Sequence, residues 1–336
     1  MKKTVFFGLL AIVLTFGMVF VGCESEPTSS NKDEKLPVSS GVNAVSGKAY
    51  FEWIDRITFS VTAAGATSGT YTIDTVESGE YGPTDKYKYN TEIETGTYSW
   101  NEGTKTLSLK PELIAFSSGG SGDASSGGWE EIENNYGPLG NKKAFRAEIQ
   151  AMVDEEIKYS GQKEINDELS SMGFSSISSY INYAVNEAFS IRTFTYSFNS
   201  SQTVLFLEKE LPANRGTNEF SGQTYYGLTW DWVDGEEVRV KDENEKYVFT
   251  TTGYTFTSPG ETTTGSYTYD SVRKQVCLRP QTINGKNRTA FFEDQTAPAY
   301  NKYPDDNSYC ASQTNDAFSF WGQHYNSTNK TIGWED

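Results

Sequence analysis

Two stretches of seventeen residues in this chain resemble each other, and this internal repeat constrains the fold more than any other feature. Residues 95–111, TGTYSWNEGTKTLSLKP, align without gaps to residues 264–280, TGSYTYDSVRKQVCLRP. Six positions are identical, namely Thr95/Thr264, Gly96/Gly265, Tyr98/Tyr267, Lys105/Lys274, Leu109/Leu278 and Pro111/Pro280. A duplicated unit determines the whole architecture, so we consider it before assigning strands.

Two further blocks match in the same order on either side of this repeat. Residues 46–50 (SGKAY) resemble residues 221–225 (SGQTY), and residues 186–190 (NEAFS) resemble residues 315–319 (NDAFS). Three matching blocks in one order are hard to obtain by chance. The sequence therefore predicts two homologous domains, which span about 46–212 and 220–336.

Each repeat has the periodicity of β-strands. Apolar residues recur at every second position around Tyr98 and Trp100, and again around Leu107 and Leu109, so each pair lies on one face of a strand. The four residues 101–104 between them predict the turn of a hairpin. About eight strands are predicted in the first repeat, including the two of this hairpin. The other six lie near 48–53, 56–62, 69–75, 86–92, 189–198 and 202–208.

Sequential antiparallel strands have unpaired edges unless the sheet closes, and closure favours an up-and-down β-barrel over its main alternative, a β-sandwich. A glycine ahead of an aromatic strand, here Gly47 and Trp53, resembles the start of lipocalins and related calycins, although these two residues are spaced more widely. The resemblance implies a mainly β fold of two tandem up-and-down antiparallel lipocalin-like barrels.

A helical insertion is predicted in the first repeat only, over about 129–188. It follows a glycine-serine stretch, Gly119 to Gly128, which is typical of a flexible linker. Apolar residues at helical spacing then recur in three segments. They are Phe145, Ile149, Met152, Val153 and Ile157, then Ile165, Leu169 and Met172, and finally Ile177, Ile181, Ala184 and Val185. At the corresponding place the second repeat is predicted to have only a loop, Gln281 to Thr314, so the helices form either a lid over the first barrel or a fixed cap.

The first 23 residues have the pattern of a bacterial lipoprotein export signal. Lys2 and Lys3 precede an apolar run from Val5 to Phe20, which ends at Gly22 and Cys23 just before a polar segment. One alternative is a transmembrane anchor, but the apolar run is shorter than the ~20 residues that a membrane-spanning helix needs. The other alternative is a chance cysteine in an ordinary secretory signal.

The segment resembles bacterial lipoproteins, and Phe20 in place of the usual leucine resembles the relaxed signals of spirochaetes. The resemblance implies a signal peptide of residues 1–22, removed on export, and lipidation of Cys23. Two or more acyl chains, at about 0.8 kcal/mol per buried methylene, give stable attachment to a membrane. The expected location is the cell envelope, facing the periplasm or the cell surface.

The residues after the cysteine predict a tether, and the charge of the chain excludes some partners. Residues 23–45 are rich in Ser, Pro, Glu and Lys and cannot form a core. Loss of Lys2 and Lys3 lowers the basic count from 28 to 26 against 45 acidic residues, a formal net charge of −19. This acidity argues against nucleic acid and against docking of a basic patch on anionic lipid.

Cysteine and histidine usage argues against a metal site and against most catalytic mechanisms. Besides Cys23 only Cys277 and Cys310 are present, and in an exported chain they could form a disulfide or stay as thiols. No metal-binding spacing or cofactor motif occurs. The single histidine, His324, lies in a predicted strand, so we expect no catalytic residue and no cofactor.

Two functions remain open at the level of sequence. In the first, which is favoured, a small apolar ligand binds inside a barrel, with Trp53, Tyr71, Tyr98 and Trp100 as the candidate lining residues. In the second, the barrels are filled with side chains and the outer surface binds a protein, as in an adhesin or an assembly scaffold. An eight-stranded barrel is wide enough either to be filled or to hold one small ligand, so composition does not decide.

Overall fold

The structure is a computed structural model that describes residues 35–52, 55–61, 66–76, 89–120, 134–171, 174–233, 236–297 and 307–333. The described residues form two compact units, of which the first ends at Lys209 and the second begins at Glu210. None of the described helices is both long enough and apolar enough to span a bilayer.

The first unit is a β-sheet that nearly closes into a barrel. Its strands are β1 (Ala49–Glu52), β2 (Asp55–Ser60), β3 (Gly69–Val76), β4 (Tyr89–Asn101), β5 (Thr106–Gly120), β6 (Asn134–Gly140), β7 (Arg192–Phe198) and β8 (Leu205–Lys209). They pair in the order β1-β2-β3-β4-β5-β7-β8, with β6 on β5 outside this path. The end strands β1 and β8 contact each other. The mainly β class is thus confirmed, while the likeness to lipocalins stays a prediction.

The hairpin predicted from the first copy of the repeat is present as β4 and β5. Tyr98 pairs with Leu109 and Trp100 with Leu107, so the alternating apolar residues share the buried face. The turn ends at Lys105, whose φ is +54°. The strands predicted near 86–92 and at 97–100 are one strand, because the segment between them contains a β-bulge at Thr95/Gly96 and not a turn.

The second copy of the repeat forms the same hairpin, with Tyr267 paired to Leu278 and the turn ending at Lys274, again with a φ of +54°. Its bulge lies between Thr264 and Gly265. A Cβ added at Gly265 would overlap the backbone carbonyl oxygen of Arg279, as one at Gly96 would overlap that of Lys110. Glycine is required at both bulges by this close backbone approach.

Three helices follow β6 in the first unit: α1 (Lys142–Ser160), α2 (Gln162–Ser171) and α3 (Ile177–Ala188). The side chain of Asn141 caps α1 by accepting from the backbone N–H groups of Lys143 and Ala144, and Gly161, with a φ of 87°, ends it. Ser176 begins α3 with a capping box. The apolar stripes pack together with Ile114 and Phe116 of β5 as a second core.

The insertion differs from the prediction at its start. Among the described residues of the insertion, helix begins at Lys142, because residues 134–140 form β6 and pair with β5. Gly119 and Gly120, predicted to start a linker, belong to β5, where pairing of Gly120 with Asn134 extends the strand. Residues 121–133 of that segment lie outside the described residues.

The second unit is a closed ring of seven strands. They are β9 (Thr224–Val233), β10 (Glu236–Phe249), β11 (Gly253–Ser258), β12 (Glu261–Asp270), β13 (Gln275–Ile283), β14 (Trp321–Asn326) and β15 (Thr331–Ile332). The ring order is β10-β11-β12-β13-β14-β15-β9. All pairs are antiparallel except β15 with β9, which are joined in parallel at Thr331 and Tyr226.

The second unit also contains helices, which corrects the prediction of a loop from Gln281 to Thr314. Helices α4 (Arg288–Thr296) and α5 (Asn307–Phe318) occupy much of this range, and each contacts β13. The side chain of Asn287 caps α4 by accepting from the N–H of Ala290 at 2.9 Å. The prediction failed because these helices have weak apolar stripes and are held by tertiary contacts, such as the edge-to-face contact of Phe291 with Phe318, whose ring centroids are 5.5 Å apart.

Aromatic side chains fill the interior of the second barrel. Phe220 is fully buried, and its ring centroid lies 4.5 Å from that of Tyr325, 4.8 Å from that of Phe249 and 4.9 Å from that of Tyr225. The remaining members of this core are Tyr247, Tyr254, Tyr267, Val276, Leu278 and Ile332. Edge-to-face and tilted contacts of this kind add to the apolar burial that holds the ring together.

Candidate functional site

Three of the four residues predicted to line a ligand cavity lie buried in the first unit. Tyr71, Tyr98 and Trp100 are exposed by 6% or less, and Trp53 lies outside the described residues. The Tyr98 ring packs edge-on against Phe59 at 5.1 Å and lies 5.8 Å from Trp100. Their burial and these ring contacts are those of core side chains.

Protein groups also satisfy the polar atoms of these residues. The Tyr98 hydroxyl accepts a hydrogen bond of 3.0 Å from Asn43 Nδ2, and Trp100 Nε1 donates to the Gly41 carbonyl oxygen at 3.2 Å. Burial raises the pKa of Tyr98, and the bond from Asn43 partly offsets that rise. Both rings therefore have the hydrogen bonds that buried Tyr and Trp require.

Tyr71 belongs to a buried polar cluster that sequence reasoning did not find. Its hydroxyl donates to Glu94 Oε1 at 2.6 Å, and Arg192 forms an ion pair with the same carboxylate oxygen. Arg192 Nη2 also lies 3.4 Å from the Tyr71 hydroxyl. The three residues come from β3, β4 and β7, and 98 positions separate Glu94 from Arg192, so no local pattern could bring them together.

The combined effect of burial and neighbouring charges raises the pKa values of both Tyr71 and Arg192. Burial raises the pKa of Tyr71 well above its ordinary value, and the neighbouring Glu94 carboxylate raises it further. Burial by itself would lower the pKa of Arg192, but the carboxylate more than compensates and the net direction is upward. Tyr71 is thus a neutral donor and Arg192 a permanent cation, an arrangement that holds strands together but does not exchange protons near pH 7.

The remaining sequence candidates are spread over the second unit or outside the described residues. Cys277 on β13 and Cys310 on α5 are both buried, and the disulfide considered between them stays a prediction. Cys23, the lipidation candidate, lies outside the described residues. His324 lies on β14 with its Nε2 3.5 Å from Gln275 Nε2. The described residues contain no group of His, Cys, Asp and Glu that could hold a metal ion.

Two exposed tryptophans lie close together on the first hairpin of the second unit. We call the outer parts of β9 and β10, residues 227–233 and 236–242, the tryptophan ribbon. Trp230 is 45% exposed and Trp232 is 70% exposed. They share one face of β9, because they are two positions apart in a strand. Large apolar side chains at this exposure mark interaction surfaces when they lie together.

A wide bulge separates the ribbon from the barrel. Gly227 pairs with Asp242 and Tyr226 pairs with Lys246, so residues 243–245 have no partner on β9. Gly227 leaves room for this bulge, since a Cβ there would lie 2.8 Å from the Glu245 Cβ. Burial raises the pKa of Glu245, and the nearby Asp242 carboxylate adds to the rise. Among the described strands, only β9 pairs with β10 between Glu236 and Asp242.

Basic side chains from β10 lie over two aromatic rings of β9. Arg239, directly opposite Trp230, places its guanidinium carbon 4.2 Å from the indole centroid. Lys241 places its Nζ 3.9 Å from the ring centroid of Tyr226 and forms an ion pair of 3.1 Å with Glu243. These are cation–π contacts, which orient the two strands and keep both rings at the surface.

The residue opposite Trp232 is an acid and not a base. Trp232 pairs with Glu237, and no basic side chain of the described residues lies over its ring. The backbone N–H of Trp232 donates to the Asp231 carboxylate at 2.8 Å, near the end of β9. The exposed indole of Trp232 on β9 therefore lies opposite the exposed carboxylate of Glu237 on β10.

The sequence contains a signal for this surface that the sequence analysis did not use. In residues 227–233, GLTWDWV, the two tryptophans alternate with polar residues, which predicts that they share a face. The paired positions Tyr50 and Ile57 of the first hairpin enclose six residues, whereas Tyr225 and Tyr247 enclose 21, so the second hairpin is 15 residues longer. Comparison of the two repeats locates the ribbon as an insertion.

No known protein family matches this chain, and neither a curated protein nor a solved structure was found to be similar to it.

Proposed function

We propose that this chain is a lipid-anchored protein of the bacterial cell envelope that binds a partner protein through the tryptophan ribbon of its second unit. The observation that carries the proposal is the pair of exposed indoles, Trp230 and Trp232, on one face of a hairpin that extends beyond the closed ring. Tryptophan and arginine are enriched among the residues that contribute most to protein interfaces.

The packed cores of both units support binding at the outer surface and not inside a sheet. In the second barrel, rings within contact distance surround Phe220, and in the first unit Tyr98 and Trp100 contact each other and their protein partners. The hypothesis of a small apolar ligand stays a prediction, and no contact of the described residues favours it. Non-catalytic action is likewise a prediction.

The anchor is proposed on the resemblance of residues 1–23 to lipoprotein export signals. Acylation of Cys23 would tether the two units to a membrane by residues 24–45. Metabolic labelling with a fatty-acid analogue should label the wild type and not Cys23→Ser, and the variant should leave the membrane fraction. Equal labelling of both would contradict the anchor.

Site-specific photocrosslinking on cells tests the binding surface. A photoreactive phenylalanine analogue replaces Trp232, and the control places it at Tyr159, which is 77% exposed on α1 of the first unit. We expect a discrete protein adduct from position 232, absent from position 159 and lost when Trp230→Ala is added. The same adducts from both positions, or none from position 232, would contradict the proposed function.

A further inference from the structure

We propose that Trp232 and Glu237 together bind a lysine or arginine side chain of the partner protein, so that the partner contributes a basic segment to the tryptophan ribbon. This inference rests on the proposed function and specifies the chemistry of the partner. It follows from the pattern of cation–π contacts along the ribbon and from the charge of the ribbon.

The first argument is the ladder of aromatic and basic residues across the two strands. Over Tyr226 lies Lys241, and over Trp230 lies Arg239, at 3.9 and 4.2 Å from the ring centroids. Trp232 continues the aromatic series two positions further along β9. At this third position the chain itself supplies a carboxylate, Glu237, so a cation that completes the series has to come from another molecule.

The second argument is geometric. Residues directly opposite each other in an antiparallel pair have Cβ atoms about 4.5–5.5 Å apart and project from the same face of the sheet. The indole of Trp232 and the carboxylate of Glu237 therefore flank one space that is open to solvent. An ammonium or guanidinium group there would contact a π face and an anion together, which is stronger than either contact alone.

The third argument is the charge around this pair. The sequence of residues 227–245 has two basic residues, Arg239 and Lys241, and seven acidic ones, namely Asp231, Asp234, Glu236, Glu237, Asp242, Glu243 and Glu245. Lys241 is already engaged by Glu243 and Arg239 by Trp230. The formal net charge of −5 over residues 227–245 attracts a basic segment and repels acidic proteins and anionic lipid surfaces.

The experiment uses labelled hexalysine as the probe and the whole mature chain, acylated and held in detergent, as the receptor. Fluorescence anisotropy gives the dissociation constant. Trp232→Ala should weaken binding about fivefold and Glu237→Gln about twofold to threefold, as expected for exposed cation–π and ionic contacts. Trp232→Phe, which keeps a weaker π face, should lie between the wild type and Trp232→Ala.

Matched controls lie in the first unit. Tyr159→Ala removes an aromatic residue that is 77% exposed, and Glu155→Gln removes one exposed negative charge, as Glu237→Gln does. Both should bind hexalysine with the affinity of the wild type. If they weaken binding as much as the ribbon variants do, the peptide is responding to net charge and the proposal is overturned.

Modified probes separate a cation–π site from a general preference for polar peptides. Trimethylation of the six lysines keeps the charge, whereas acetylation removes it. We expect the trimethylated peptide to bind at least as well as hexalysine and the acetylated peptide to lose binding. Equal binding of the acetylated peptide, or unchanged binding by Trp232→Ala, would overturn the proposal.

The two levels of inference fail in different ways. If crosslinks from position 232 persist while the ribbon variants bind hexalysine like the wild type, the ribbon binds a partner but the partner is not basic. If position 232 gives no crosslinks and hexalysine does not bind, the proposed function itself is contradicted. Because Trp232 and Glu237 are exposed, circular dichroism should show that all three ribbon variants keep the fold of the wild type.

Discussion

The two units place different chemistry at equivalent positions of similar sheets. Register defines the equivalence: Tyr71 and Tyr254 pair with the bulge glycines Gly96 and Gly265. By the same criterion Glu94 corresponds to Thr263, since each pairs with an isoleucine, Ile114 or Ile283. Arg192 corresponds to Trp321, as each pairs with the equivalent leucine, Leu109 or Leu278.

The first unit thus has a buried ion pair where the second has a threonine and a half-exposed tryptophan. The Tyr71 hydroxyl donates to Glu94, whereas the buried Tyr254 hydroxyl makes no hydrogen bond among the described residues. The same strand pairing therefore does not determine which side chains lie at equivalent positions of the two units. The units also differ at the surface: among the described residues, only the second unit extends its first hairpin into an exposed ribbon.

The largest expected effect comes from transferring the second unit's residues into the first. Glu94→Thr leaves the Arg192 guanidinium buried without its carboxylate and should destabilise the first unit by about 3–5 kcal/mol. Adding Arg192→Trp removes the unpaired charge and should recover at least about 2 kcal/mol of the lost stability of the first unit. Hydrogen exchange read by mass spectrometry reports each unit separately. A double variant as unstable as Glu94→Thr would mean that the ion pair does not account for the difference.

A smaller contrast is expected for the paired tyrosines. Tyr71→Phe removes a hydrogen bond to a charged acceptor and should cost about 1.5–3 kcal/mol in the first unit. Tyr254→Phe removes a buried hydroxyl that lacks a described partner and should leave the second unit unchanged or slightly more stable. Chemical denaturation followed by the same exchange method tests both. Equal losses in the two units would remove this distinction.

The smallest effect expected for a single group is at alkaline pH. Burial raises the pKa of Tyr225 to about 12, so the folded state holds a proton that the unfolded chain, with a pKa near 10, releases. Stability is complete below pH 10 and is lost as the pH rises toward 12. At pH 10.5 this tyrosine should contribute a loss of about 0.8 kcal/mol.

The same sign applies to the other buried tyrosines, whose pKa values are also raised. In the second unit these are Tyr247, Tyr254, Tyr267 and Tyr325, and in the first Tyr71, Tyr98, Tyr180 and Tyr196. In the second unit, all of them belong to one aromatic core. Between pH 8 and pH 10.5, the protection of the second unit from hydrogen exchange should therefore fall more than that of the first unit. Greater loss from the first unit would contradict this comparison.

Much of the fold could be predicted from short-range pattern. The alternation around Tyr98 and Leu109 correctly gave the central hairpin, and the helical stripe from Phe145 gave α1, because both periods are local properties of the chain. The strand around His324 was also predicted correctly. The helices α4 and α5 were missed, since weakly amphipathic segments become helical only when a sheet provides a surface to pack on.

The candidate site was less predictable than the fold. The aromatic residues chosen as ligand contacts, Tyr71, Tyr98 and Trp100, are the ones that the sheet buries against itself. Trp230 and Trp232 have the same alternating pattern, yet they are exposed because their hairpin extends past β11. Alternation states which residues share a face, but not whether that face meets a core.

By itself, the sequence determined the local elements of this protein: strands from a period of two, helices from a period near 3.6, and helix starts from Asn141 and Ser176. Only the tertiary structure decided which residues meet and which stay in solvent. Glu94 and Arg192 become an ion pair, and Trp232 a surface residue, because sheet closure sets contacts between distant positions. Those contacts depend on strand order and length, which local periodicity does not encode.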